Sequence, residues 1–123
     1  MKEYLLVGVG GMVGSMTRYL SGSYFMAWFP AARFPWGTFF INVLGCLLIG
    51  IVAGLIERMT NFNAEIRLAV ITGFLGGFTT FSAFGIETVS LMKNGFPFLG
   101  CTYAISSVVL GVGGVYLGLR LTI

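Results

Sequence analysis

Gly73-Phe74-Leu75-Gly76-Gly77-Phe78-Thr79-Thr80-Phe81-Ser82-Ala83-Phe84 sets glycines, hydroxyls and phenylalanines in the middle of an otherwise lipid-like apolar run. A helix that simply crosses lipid has no use for such a stretch. Lipid cannot hydrogen-bond a loosened backbone, so glycines followed by Thr-Thr and Ser imply a helix interrupted where protein or water receives the freed polar groups. Breaks at that depth mark ion or substrate sites in membrane proteins.

The surrounding sequence agrees with a membrane setting. Of 123 residues 57% are hydrophobic and 9% charged, with no His, no Asp and a mean hydropathy of +0.95. A spanning helix needs about 20 apolar residues, and four blocks meet that length, at residues 4–26, 35–57, 66–92 and 97–121. The expected fold is therefore all-α, one four-helix transmembrane domain over residues 1–123 with the third helix broken near its middle. The loops are short, around Pro30–Pro35, Arg58–Arg67 and Lys93-Asn94-Gly95, and leave no room for a soluble domain. Lys2 followed by an apolar run also suggests a signal peptide, but Glu3 weakens the basic start and Arg18 falls where a cleavage signal wants no charge.

Glycine recurs at four-residue spacing in every block: Gly10/Gly14, Gly50/Gly54, Gly73/Gly77 and Gly114/Gly118. Small residues so spaced let helix backbones approach closely in lipid, which accounts for most of the 19 glycines. The run Gly8 to Gly14 is not a dinucleotide fingerprint, because Val13 stands where the third glycine belongs and no βαβ unit accompanies it. Cys46 and Cys101 lack CxxC spacing and are expected to pack as small hydrophobes.

With four spans both termini lie on one membrane face. That face collects Lys2, Arg58, Arg67 and Arg120, and the other collects Arg18, Arg33 and Lys93. Four against three is too even to set one orientation, and a chain that inserts both ways can pair with its own inverted copy. The net charge of +3 is scattered and forms no nucleic-acid stripe; lipid headgroups are its expected partners.

Catalysis finds little support. Four Glu, two separated Cys and no His or Asp offer no nucleophile–base arrangement and no zinc-type ligand set. Polar residues inside apolar helices remain, and these serve either packing or a pathway. Asn42 offers an uncharged amide, whose packing alternative is an interhelical hydrogen bond worth about 0.6 to 2 kcal/mol. Arg18 either snorkels to the interface or draws anions to a vestibule. Glu87 faces a pore mouth, carries a proton, or pairs with a neighbouring cation. Phe81 and Phe84 share a helical face and are either core or a wall of positive ring edges suited to a small anion. Tyr103, Ser106, Ser107 and Gly111 form a stripe that could face them. A wall without deep fixed charge suits permeation, since a buried cation would hold an anion too firmly.

Three segments in order, Gly10-Gly11-Met12-Val13-Gly14 with Arg18-Tyr19, Gly37-Thr38-Phe39-Phe40-Ile41-Asn42-Val43-Leu44-Gly45, and Gly73 to Phe84, resemble the Fluc family of fluoride channels, also called CrcB proteins, over essentially the whole chain. The resemblance implies an antiparallel, dual-topology homodimer in the bacterial inner membrane, exporting cytoplasmic fluoride passively through two pores. It also implies a structural Na+ at the dimer centre, held by backbone carbonyls that project onto Gly76 and Thr79. Carried onto this chain, the pore positions are Asn42, Phe81, Phe84, Tyr103 and Ser107, with Arg18 at the vestibule and Glu87 near one pore end; Gly111 stands where some relatives carry Ser. Two other readings compete. A proton-coupled exporter of the small multidrug resistance kind needs an acid inside its first helix, and this chain has only Glu3 at the edge. A non-transporting membrane assembly protein leaves the Thr-Thr-Phe-Ser segment without a task.

Overall fold

A computed structural model describes residues 1–123 as four helical rods. Helices α1 (Lys2–Ala27) and α2 (Trp36–Arg58) are continuous. The third rod, Ala64–Lys93, is made of pieces: α3 (Ala64–Arg67), a π-helical stretch (Leu68–Leu75), α4 (Gly76–Phe78) and α5 (Phe81–Lys93). Helix α6 (Pro97–Thr122) closes the bundle, with Pro97 in its first turn where a missing N–H costs nothing.

At 1.5 Å per residue even the 23-residue α2 is about 35 Å long, enough to cross a hydrocarbon core of about 30 Å. All four rods reach that length, but only α2, the third rod and α6 are also apolar enough to span by composition. The sequence offers four blocks of spanning length, and the first is the one whose helix falls short in apolarity. In α1, Gly8, Gly10, Gly11, Gly14 and Gly22, together with Ser15, Thr17, Arg18, Ser21 and Ser23, dilute the apolar content.

Both termini lie at one end, as the even number of rods requires. Lys2 bridges Glu65 at 2.7 Å, and Arg58 donates to the Thr122 carbonyl at 3.0 Å, tying the start of α1 to α3 and the end of α2 to the end of α6. At the opposite end Arg33 lies over the Phe96 ring, 4.3 Å from its centre, beside a cluster in which Phe29, Trp36 and Phe40 stack. Aromatic rings in such numbers suit the headgroup level. Gly95, at φ 87°, lets the chain leave α5 in the left-handed stop that glycine favours, with Phe96 N–H on the Leu91 carbonyl at 2.9 Å.

The break in the third rod changes its neighbours. The π-helical stretch and α4 pack against α1, whereas α5 leans on α6, and α6 packs along α2. Glycines make the close approaches. A Cβ on Gly14 would strike the Phe74 carbonyl, one on Gly10 the Ala69 carbonyl, and one on Gly118 the Leu47 carbonyl at 2.5 Å. Gly8, Gly22, Gly85 and Gly113 have open space instead, so close packing explains the paired glycines and not these.

Only 16 of 123 residues are buried, because a bundle one helix thick exposes most of its side chains to whatever surrounds it. Cys101, expected to pack as a small hydrophobe, is one of the exposed residues. Its position on the outer side of α6 serves a lipid-facing small hydrophobe equally well.

Candidate functional site

The third rod opens at Thr79 and Thr80, both extended (ψ 157° and 119°). An unbroken helix would send Thr80 N–H to the Gly76 carbonyl and Ala83 N–H to the Thr79 carbonyl. Here Thr80 N–H goes to Asn42 Oδ1 at 2.8 Å, and Asn42 Nδ2 donates to the Thr80 carbonyl at 2.9 Å. Ala83 N–H is taken by Thr80 Oγ1 at 3.2 Å, an N-cap that starts α5. The pairing also settles the orientation of the Asn42 amide, since Thr80 N–H can only donate and its C=O can only accept.

Asn42 therefore does two jobs at the sequence-identified position. It repairs the break, and it keeps one amide N–H beyond the one given to Thr80. Thr79 is held on the other side, its hydroxyl donating to the Leu75 carbonyl at 3.0 Å and its methyl filling the space a side chain on Gly45 would need. The π-helical stretch before it escaped the sequence reading. Its wider turn has no compositional marker, and π segments occur where function interrupts a helix.

A cavity of about 310 Å³ lies beside the break, bounded by Asn42, Thr79, Phe81, Phe84, Ser107 and Cys46 among others. Phe81 and Phe84 sit with ring centres 5.6 Å apart, and Phe84 is 5.3 Å from Tyr103. Phe81 is 84% exposed in the single chain. Ser107 Oγ is buried with no hydrogen-bond partner. Ser106, placed on the same stripe by spacing, turns its hydroxyl back onto the Thr102 carbonyl at 2.6 Å and is not among the cavity's lining residues.

Tyr103 is fully buried and donates to Glu87 Oε2 at 2.8 Å, while Thr38 donates to Glu87 Oε1 at 2.7 Å. Of the roles open to Glu87, pairing with a cation is not the one adopted, because Lys2–Glu65 is the chain's one salt bridge. Thr38 was missed as a site residue, although its place one turn before Asn42 on α2 was a usable signal. Glu87 and Thr38 border a second cavity of about 580 Å³, which Arg18, Arg33 and Thr80 also line. Thr80 is common to both cavities. The residues proposed from sequence thus gather around one break: Asn42, Phe81, Phe84 and Ser107 on one cavity, Arg18 and Glu87 on the next, and Tyr103 between Phe84 and Glu87.

Residues 5–119 match the family described as "CrcB-like protein, Camphor Resistance (CrcB)". The chain belongs to the CrcB family. Members similar to it include proteins named "Fluoride-specific ion channel FluC" from Rhizobium leguminosarum bv. trifolii, 48% identical over 97% of this chain and 94% of the relative, and from Rhizobium etli, 46% identical over 98% and 96%. A third, of the same name, comes from Methylobacillus flagellatus and is 42% identical over 98% and 94%. The matches cover the broken third rod and both cavity walls in this CrcB chain, so the family assignment includes the site.

Proposed function

We propose that this chain is a fluoride-selective channel that passively releases cytoplasmic fluoride across the bacterial inner membrane, relieving its toxicity, and that it is not an enzyme. The observation that carries this reading is end-to-end similarity to proteins named as fluoride-specific ion channels, around a cavity whose polar wall is neutral. Fluoride is small, hard and strongly hydrated, so permeation demands substitute donors. The spare Asn42 N–H, the unpartnered Ser107 hydroxyl and the edges of Phe81 and Phe84 are of that kind. None carries a full charge, so none traps the anion. Arg18 and Arg33 border the second cavity and raise the local anion concentration from there. The narrow donor set disfavours chloride, whose larger radius fits it poorly and whose hydrogen bonds to the same donors are longer and weaker.

The functional unit in this reading is an antiparallel homodimer with two pores. The near-even distribution of basic residues between the two ends supports insertion in both directions. The open cavity and the exposed Phe81 beside it support a second copy closing the wall. A structural Na+ fits the same scheme. Asn42 and Thr80 Oγ1 divert the two N–H groups that would occupy the Gly76 and Thr79 carbonyls, and free carbonyl oxygens suit a hard cation. The Gly76 and Thr79 carbonyls would hold the ion, which would supply fixed positive charge at the break.

The deciding experiment is fluoride efflux from liposomes carrying the purified protein, followed with a fluoride-selective electrode beside a chloride control. Fast fluoride release without chloride release is expected. No release from folded dimers overturns the reading and favours a non-transporting assembly protein, while proton-coupled uptake of a cationic drug favours the exporter.

A further inference from the structure

Two helical stripes pack side by side along one wall of the cavity at the break. On α2 Asn42 is followed one turn later by Cys46, and on α6 Ser107 is followed one turn later by Gly111. The donors of the lower level are Asn42 and Ser107. At the upper level α6 offers none, because Gly111 has no side chain. Cys46 occupies that gap: its Sγ lies 3.4 Å from where a Gly111 Cβ would stand, and Cys46 lines the same cavity as Asn42 and Ser107. The Ser107 hydroxyl, whose oxygen is buried and unpartnered, is a donor on this wall that the chain itself does not satisfy.

Resting on the channel reading, we propose that the Cys46 thiol is a pathway-lining donor, taking the place on α2 of a side chain absent at Gly111 on α6. A neutral S–H is a weak donor, so it carries the anion past this level without binding it tightly. The small residue and the thiol are complementary in volume. A Cβ at position 111 would stand in van der Waals contact with the thiol.

The test uses full-length protein in chloride-free liposomes, with Cys101→Ser as the parent so that one thiol remains. Parent efflux is expected to be fast and to be silenced by micromolar Ag+. Adding Cys46→Ala is expected to abolish silver sensitivity and slow efflux roughly three- to tenfold, the effect of one weak donor. Gly111→Ser on that background is expected to restore most of the rate. Efflux unchanged by Cys46→Ala, or no recovery with Gly111→Ser, overturns the proposal. Cys46→Ser decides the matter if Cys46→Ala fails to elute as a folded dimer: it keeps efflux and loses silver block, and persistent block counts against a role for this thiol. A parent that releases no fluoride defeats the channel reading itself, and this proposal with it.

Discussion

Asn42 and Thr80 are joined by two reciprocal hydrogen bonds, 2.8 and 2.9 Å long, in which one side-chain amide replaces the helical partners of one backbone residue. The break in the third rod is stable in lipid because this amide satisfies it. The bond from Thr80 N–H to Asn42 Oδ1 leaves the Gly76 carbonyl without its helical donor, so a single residue on α2 links the helix break, the cavity wall and the candidate cation site.

Asn42→Asp tests that linkage. The aspartate keeps an acceptor for Thr80 N–H but turns its second oxygen against the Thr80 carbonyl, losing a donor and adding charge. The expected result is destabilisation of about 1–3 kcal/mol, read as a lower unfolding midpoint in detergent, together with loss of fluoride efflux. An unchanged midpoint would show that the Thr80 pairing is not a structural requirement.

Close backbone approach makes a prediction independent of any ion. Gly14→Ala drives a methyl into the Phe74 carbonyl, whereas Gly113→Ala meets open space. Gly14→Ala is expected to cost about 1–3 kcal/mol by overpacking and to reduce the yield of folded protein, with Gly113→Ala at wild-type level. Equal yields and midpoints for the two would remove the α1–third-rod contact from the determinants of the fold.

Much of this was readable from the chain because hydropathy and glycine spacing act locally. Four rods, the break within Gly73–Phe84 and the paired glycines all follow from residue types at fixed intervals. What escaped reading depends on which side chain meets which across the bundle. Thr38 and Tyr103 converge on Glu87 from two different helices, Ser106 bonds its own helix, and the π turn over Leu68–Leu75 has no residue signature. That Cys46 packs against Gly111 depends likewise on the pairing of α2 with α6. The apolarity of α1 was overestimated because glycine counts as neither lipid-like nor polar by eye.

The freed carbonyls predict a sodium effect on stability. An ion that binds only the folded dimer raises stability by RT ln(1 + [L]/Kd), so the unfolding midpoint is expected to rise with Na+ and much less with K+ at equal ionic strength. Thr80→Ala removes the hydroxyl that caps Ala83 N–H, allowing that N–H to reach the Thr79 carbonyl, and is expected to blunt the sodium response. Identical midpoints in the two salts would dismiss the Gly76 and Thr79 carbonyls as a sodium site.

Glu87 is held by two hydroxyls and no cation, so its placement depends on them. Tyr103→Phe deletes the 2.8 Å bond from a fully buried ring while preserving volume. A hydrogen bond to a charged group contributes about 1.5–3 kcal/mol, and a loss in that range is expected in chemical or thermal unfolding. Efflux is expected to fall as well, because a released Glu87 carboxylate can swing toward Arg18 and Arg33 across the second cavity and oppose an approaching anion. Tyr103→Phe with wild-type stability would mean that Thr38 alone suffices to hold Glu87.

Phe81 separates a pathway role from a covering role. Its ring is 84% exposed in the single chain and lies 5.6 Å from Phe84, so it contributes little to packing within one subunit. Isoleucine retains the apolar bulk a partner subunit would cover but has no positive ring edge. An edge interaction of about 0.5–1.5 kcal/mol, lost where the ion passes, corresponds to a roughly two- to tenfold slower flux. Phe81→Ile is therefore expected to elute as the wild-type dimer, to keep its unfolding midpoint and to release fluoride more slowly. The same rate with an intact dimer would assign Phe81 to the interface alone and leave Phe84, Asn42 and Ser107 as the donors of the path.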